Sequence, residues 1–155
     1  MPSHFQFHVR PAIWRQDESS IANIRREVFI TEQCVPEHLE WEDEDSTYQW
    51  FVAEPRAGLI GIARLMPVEE GTREGARIGR MAVRRPFRGK GVGAALLHAA
   101  LDVARTRGFQ TVNLSAQTHA VNFYVKYGFV AEGEIYLDAG IPHRTMRLKL
   151  KERAG

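Results

Sequence analysis

Cysteine is nearly absent from this chain, and each thing it lacks removes a class of protein. Its 155 residues contain one cysteine, Cys34, so no intramolecular disulfide framework can form and a reducing, cytoplasmic setting is expected. No apolar run approaches the roughly 20 residues that a bilayer-spanning helix needs. Pro2 to Arg10 has no apolar core of the signal-peptide kind, and no membrane partner is expected. An excess of charge of one sign is also missing. The 21 Lys and Arg against 19 Asp and Glu leave a net charge of +2, too little by itself to argue for nucleic acid. Metal signatures are absent too. There is no His-Glu-x-x-His helix, and His4 and His8 have no cysteine partners, so no metal is expected. What remains, 44% apolar and 26% charged, is the composition of an ordinary globule. It reads as one domain over residues 1–155, without repeat, linker or low-complexity tract, and long enough to build a core.

Along the chain, strands and helices alternate as in an α/β protein. Phe5 to Ala12 reads as a first strand. Asp17 is placed to cap a helix whose apolar residues Ile21, Ile24, Val28 and Phe29 recur at helical spacing. A short helix is expected around Pro36 to Trp41. Glu37, Glu40, Glu42, Asp43, Glu44 and Asp45 then read as a solvated acidic loop, with a rim attracting a cationic ligand as the lesser alternative. Tyr48 to Glu54 and Leu59 to Met66 form a hairpin across Pro55–Gly58, and Val68 to Gly75 is a loop. A strand from Ala76 to Val83 precedes a long helix from Gly91 to Arg107, with Val92, Ala95, Leu96, Ala99, Ala100 and Val103 on its buried face. Gly108 stops that helix. Thr111 to Ala116, Phe129 to Glu132 and Arg144 to Lys149 complete the strands.

The most informative segment is residues 80–94. A strand ends, a basic turn follows, and Gly89, Gly91 and Gly93 open directly into the long helix. Backbone N–H groups with little bulk over them, at the positive end of a helix dipole, bind phosphate. Arg84, Arg85, Arg88 and Lys90 add full charge. A P-loop is excluded because Gly89-Lys90 is followed by Gly91, not by the Ser or Thr that would hold magnesium. A dinucleotide fingerprint is excluded because no acidic residue follows the helix at Thr111 to Ala116.

The spacing Arg88-x-x-Gly91-x-Gly93 resembles the signature of the GNAT N-acetyltransferase superfamily. A second stretch, Gln117-x-x-Ala120-x-x-Phe123-Tyr124-x-Lys126-x-Gly128-Phe129, resembles that family's second motif at the right distance. Gly128 is suited to end its helix in a left-handed conformation. Phe29 to Pro36 and Gly140-Ile141-Pro142-His143-x-x-Met146 are similar to the ElaA-type branch, which usually has glycine at the place of Cys34. The resemblance covers Phe7 to Leu150. It implies a GNAT-like mixed, mostly antiparallel sheet of six to seven strands flanked by helices, and acetyl-coenzyme A as cosubstrate.

The family's properties then assign expected roles. The loop of Arg88, Gly89, Lys90, Gly91, Val92, Gly93 and Ala94 would hold the pyrophosphate. Backbone groups of Met81, Ala82 and Val83 would pair with the pantetheine arm, and an N–H there would polarise the thioester. Gln117 would contact the coenzyme, with an arm longer than the Asn common at its position. Tyr124 is the candidate general acid for the departing sulfur, being protonated at neutral pH. Glu32 and His143, the latter placed in an Ile-Pro-His turn, are the candidates for the general base. His119 reads as a helix cap and Cys34 as a half-buried structural thiol. The expected partner is a small-molecule or peptide amine, with a homodimer possible. Two alternatives stay open: a silent acyl-coenzyme A-binding domain, and a nucleic-acid binder using the basic cluster Arg77, Arg80, Arg84, Arg85, Arg88 and Lys90.

Overall fold

The computed structural model describes residues 5–69 and 71–150. Seven strands form one sheet in the order β1-β2-β3-β4-β5-β7-β6. They are β1 (His8–Pro11), β2 (Gln49–Glu54), β3 (Gly61–Pro67), β4 (Gly75–Val83), β5 (Thr111–Gln117), β6 (Val130–Asp138) and β7 (Ile141–Lys149). The helices are α1 (Trp14–Arg25), α2 (Glu37–Glu40), α3 (Val92–Thr106) and α4 (Val121–Lys126). The mixed, mostly antiparallel sheet is the one expected; β4 and β5 pair in parallel, while β1–β2, β5–β7 and β6–β7 are antiparallel.

The chain forms two compact units. One comprises the chain up to Arg64 together with Arg80–Ala100; the other comprises Leu65–Gly79 and the chain from Leu101 onward. In the first unit, β2 and the start of β3 are buried along most of their length, which is why they read as continuous apolar runs. Ile21, Ile24, Val28 and Phe29 of the first helix pack with Trp50, Val52, Leu59, Ile62 and Ala82. Each Val, Leu, Ile or Phe among them contributes roughly 1.5–3 kcal/mol on burial. Asp17 does not cap this helix from outside, as the sequence suggested. It lies in the first turn, 4% exposed, and accepts the Ile13 N–H at 2.8 Å while binding Arg10 at 2.7 and 2.9 Å.

In the second unit, β5 buries Val112, Leu114 and Ala116 at a period of two, the pattern of a half-buried strand. Met146, Phe109 and Phe129 are buried in this unit as well. β6 is longer than expected, because its residues are exposed almost throughout and show no alternation. It joins β7 through Ala139 (φ 51°) and Gly140 (φ 78°), a two-residue hairpin turn of positive-φ residues. The buried residues of α3 are Val92, Leu96, Leu97, Ala100, Leu101 and Ala104, a stripe shifted from the expected one, so that Ala95, Ala99 and Val103 stand at its margin.

Candidate active site

In the first unit, β4 runs out at Val83, and the Arg84 N–H bonds the Ile60 carbonyl at 2.8 Å. A 3-10 turn, Arg85–Phe87, follows. The chain then passes Gly89 (φ 77°) and Gly91 (φ 83°) before α3 begins. A left-handed backbone costs other residues about 1–2 kcal/mol each, so the fold itself demands both glycines. A Cβ at either position would meet nothing within 4 Å. The space over them is open, beside the first N–H groups of a helix of 15 residues, which have no partner within the helix.

What seats α3 there is a residue that sequence reasoning passed over. A Cβ on Gly61 would lie 3.0 Å from both Leu96 Cδ1 and Val92 Cγ1, and 3.2 Å from the Ala82 carbonyl oxygen. Any larger residue would be tighter than ordinary contact, and the Val92 and Leu96 side chains would have to give by a few tenths of an ångström. A glycine inside a strand pattern was the available signal.

Arg88 is held from two sides. Its Nε–H donates to the Val83 carbonyl at 2.8 Å, and its two terminal nitrogens donate to Glu32 at 2.7 and 2.9 Å. Arg85 lies 3.6 Å from the same carboxylate. Hydrogen bonds from Arg88 hold the Glu32 carboxyl below the usual carboxylate range, with Arg85 adding to the effect. The winding of the preceding helix makes this possible. After Arg25 it widens into a π-helix over Arg26–Glu32. On an α-helix, residues five apart point about 140° away from each other. With hydrogen bonds running from i to i+5, they stack one above the other. Glu27 and Glu32 therefore share a face, Glu27 meeting Arg84 at 2.8 Å and Glu32 meeting Arg88. The helix ends in Gln33 and Cys34, the latter at φ 59°. Cys34 is exposed, not half-buried as expected.

The acidic stretch is corrected more substantially. Glu40 and Asp45 are not solvated; they are 1% and 6% exposed. Arg25, itself buried, donates to Glu40 at 2.7 Å and to Asp45 at 2.8 Å. Asp45 also receives Arg64 at 2.8 Å, and Glu40 lies 3.0 Å from Arg80 Nε. Burial alone would push the Asp45 carboxyl up, but the hydrogen bond from Arg25 and the charges of Arg25 and Arg64 bring it below its ordinary value. Glu40 and Asp45 are thus neutralised from within, while Glu37 and Glu44 are exposed as expected. The basic row is similarly engaged: Arg80, Arg84, Arg85 and Arg88 each face a glutamate.

In the second unit, Gln117 ends β5 directly opposite His143 of β7, and His143 stands opposite Tyr136 of β6. His143 is in a strand, not in a turn. Its Nδ1–H donates to the Ile141 carbonyl at 2.6 Å, which leaves Nε2 as the proton-accepting nitrogen of the neutral ring. The ring stacks on Tyr136 at 6.1 Å, and Tyr136 shares a hydrogen bond with Ser115. Tyr124 projects from α4, edge-on to Phe123 and Phe129 at 5.0 and 5.8 Å. Burial pushes its phenol up to about 12. Gly128 (φ 95°) ends that helix as expected, whereas no side chain caps its start, so His119 is not a cap. A hollow of about 310 Å³ beside Val68, Glu74, Gln110 and Arg147 contains none of the expected site residues. Among the described residues, no three His, Cys, Asp or Glu gather as metal ligands, and no helix is long and apolar enough to cross a membrane.

A glycine turn between β4 and α3, a tyrosine on the helix after β5 and a seven-stranded mixed sheet agree with the resemblance to the GNAT family. The acetyltransferase (GNAT) domain family matches residues 13–150, and the chain belongs to that family. A UPF0039 protein of Mycobacterium tuberculosis is 32% identical over 142 residues, which are 86% of this chain and 88% of that one. Escherichia coli ElaA is 30% identical over 129 residues, 82% of this chain and 84% of that one. The ElaA crystal structure superposes with a TM-score of 0.81, over 92% of this chain and 99% of that one at 25% identity. The fold is shared too by YncA of Salmonella typhimurium, solved with its cofactor acetyl-CoA, at a TM-score of 0.74 and 20% identity over 97% of each chain.

Proposed function

We propose that this protein moves an acetyl group from acetyl-CoA to a primary amine of a small molecule or peptide. The observation that carries the reading is the pair of left-handed glycines, Gly89 and Gly91, open to solvent at the start of α3. A negatively charged pyrophosphate fits there. Main-chain groups of Met81, Ala82 and Val83 align the pantetheine arm, and one N–H polarises the thioester carbonyl, where negative charge develops. Gln117 contacts the coenzyme. Tyr124 faces the departing sulfur. A phenol near 12 opposite a thiol of ordinary pKa near 8.5 makes complete transfer uphill at rest, so its first contribution is a hydrogen bond to the developing thiolate. His143, with Nε2 as acceptor, is the better of the two candidate bases.

Glu32 is the poorer base, because a carboxylate held down by Arg88 has little affinity for a proton. Its role is to brace Arg88 and with it the loop. Replacing Glu32 with Gln keeps the shape but removes the charge. The expected result is a several-fold weaker acetyl-CoA affinity by calorimetry, with no change in the pH profile of turnover. A lost limb in that profile at unchanged affinity would restore Glu32 as the base.

The first test of the function is thermal unfolding with acetyl-CoA, using ATP and NAD as controls. Ligand at 100 times its dissociation constant adds roughly 2.7 kcal/mol, a shift of several degrees. No shift at millimolar acetyl-CoA would end this reading. A shift without acetylation of any amine in a broad panel would instead favour a silent acyl-coenzyme A-binding domain.

A further inference from the structure

Arg80 stands inside β4 with φ at 49°. A left-handed residue in a strand breaks the regular extension and re-aims the main chain after it, as at a bulge. Here the segment that follows is Met81–Val83, the stretch that the proposed function assigns to the acyl thioester. An ordinary residue resists this conformation, while glycine adopts it freely, and Gly79 sits one position away. An arginine at this place therefore has to be held there by its side chain.

The side chain is held by the buried ion network. Arg80 Nε lies 3.0 Å from Oε2 of Glu40, a carboxylate that is 1% exposed. The same oxygen accepts the Arg25 Nε–H at 2.7 Å, and a terminal nitrogen of Arg25 donates to the Glu40 main-chain carbonyl. The Arg80 guanidinium also lies over the Phe29 ring, 5.6 Å from its centre. Its Nε has no well-aligned hydrogen-bond acceptor, so the contact with Glu40 is mainly one of charge. The Glu40 carboxylate cannot yield, because Arg25 is fixed in turn by Asp45, and Asp45 by Arg64. A chain of alternating charges thus runs from Arg64 to the positive-φ residue of β4.

We propose that Glu40 is a positioning residue for acyl transfer. Through Arg80 its carboxylate maintains the left-handed turn in β4, and that turn aims the Met81–Val83 main chain at the thioester. The C-terminal end of α2 thereby acts on the reaction without touching substrate. This inference rests on the acyl-transfer reading, and its test separates the two.

Acetyl-CoA carrying ¹³C at the thioester carbonyl is added to the wild-type protein and to the Glu40→Gln, Arg80→Ala and Arg80→Gly variants. The bound carbonyl resonance reports its polarisation by a main-chain N–H, whichever amine is the acceptor. Thermal unfolding with unlabelled coenzyme A reports the pyrophosphate loop, which none of the substitutions touches. The wild type is expected to move the carbonyl resonance away from its free position. In Glu40→Gln and Arg80→Ala most of that displacement is lost, and the preference for acetyl-CoA over coenzyme A falls roughly tenfold, while coenzyme A still stabilises the fold. Arg80→Gly, which permits the turn but does not hold it, falls in between. A role confined to stability would lower the melting temperature and leave the carbonyl resonance in place.

Wild-type displacement retained in both Arg80 variants would overturn the inference while leaving the acyl-transfer reading intact. So would a wild type that binds acetyl-CoA without displacing the resonance. Failure of the wild type to bind acetyl-CoA at all would instead remove the acyl-transfer reading itself. If Glu40→Gln does not fold, the partly exposed Arg80 and its two variants still decide the matter.

Discussion

Arg25→Met should lower the stability of the protein by about 3–5 kcal/mol, the cost of breaking buried ion pairs by removing one partner. For a chain of this size that is a fall in melting temperature of roughly 6–20 °C. The arginine is 2% exposed and lies 4.7 and 5.1 Å from the Trp41 and Trp50 ring centres. Its donors satisfy the Glu40 side chain, the Glu40 carbonyl and Asp45. Methionine fills much of the space between the rings but removes the cation that Glu40 and Asp45 share, leaving Glu40 with Arg80 alone and Asp45 with Arg64 alone. The contrast is Glu27→Ala, which removes the half-exposed pair with Arg84 and should cost less than about 1 kcal/mol. Thermal unfolding of both variants checks this, and equal losses in the two would show that the buried network carries no special weight. Acid tests the same network. Asp45 has its carboxyl depressed by the fold, so its contribution is complete above the ordinary carboxylate range near pH 3.9. It disappears as pH falls through the lower folded value. Arg25→Met should flatten that acid limb.

This network also marks the limit of what could be read from the chain. The glycine segment and the Tyr124 helix were legible because their chemistry is local: within 15 residues a strand ends, a glycine takes a positive φ and a helix begins. The acids at 37–45 looked like a solvated loop because a run of like charge carries no mark of its counterions. Arg25 and Arg64 lie 15 to 20 positions away from the acids they meet, and only the fold brings them in. The π-helical turn at Arg26–Glu32 was illegible for another reason. The spacing of Val28 and Phe29 suits either winding, and the backbone bond from the Gln33 N–H to the Val28 carbonyl shows which was chosen. β6 was cut short at Glu132 because an edge strand exposed on both sides has no alternation to reveal it. His143 was assigned to a turn on the strength of Pro142. A proline is tolerated near a strand's start, and here β7 begins at Ile141.

Tyr124→Phe is the second large effect expected, and it bears on chemistry alone. Turnover should fall roughly 100-fold, the scale for losing one well-placed donor or acid in the transition state. Acetyl-CoA affinity should stay within about twofold, since the ring still packs edge-on against Phe123 and Phe129. The measurement is release of coenzyme A thiol with whichever amine the panel yields, alongside calorimetric binding of acetyl-CoA. The pH profile adds an independent check, because burial pushes this phenol up to about 12. An acid that loses its proton only there leaves the basic side of the wild-type profile flat to about pH 11. A basic limb near the ordinary phenol value of about 10, absent from the Phe variant, would mean that the ring is more open to water than its surroundings indicate. Unchanged turnover with weakened binding would reduce Tyr124 to a packing surface. Because the phenol has to remain a donor as the sulfur leaves, a raised value suits it: the proton is shared with the developing thiolate and is not lost to solvent between turnovers.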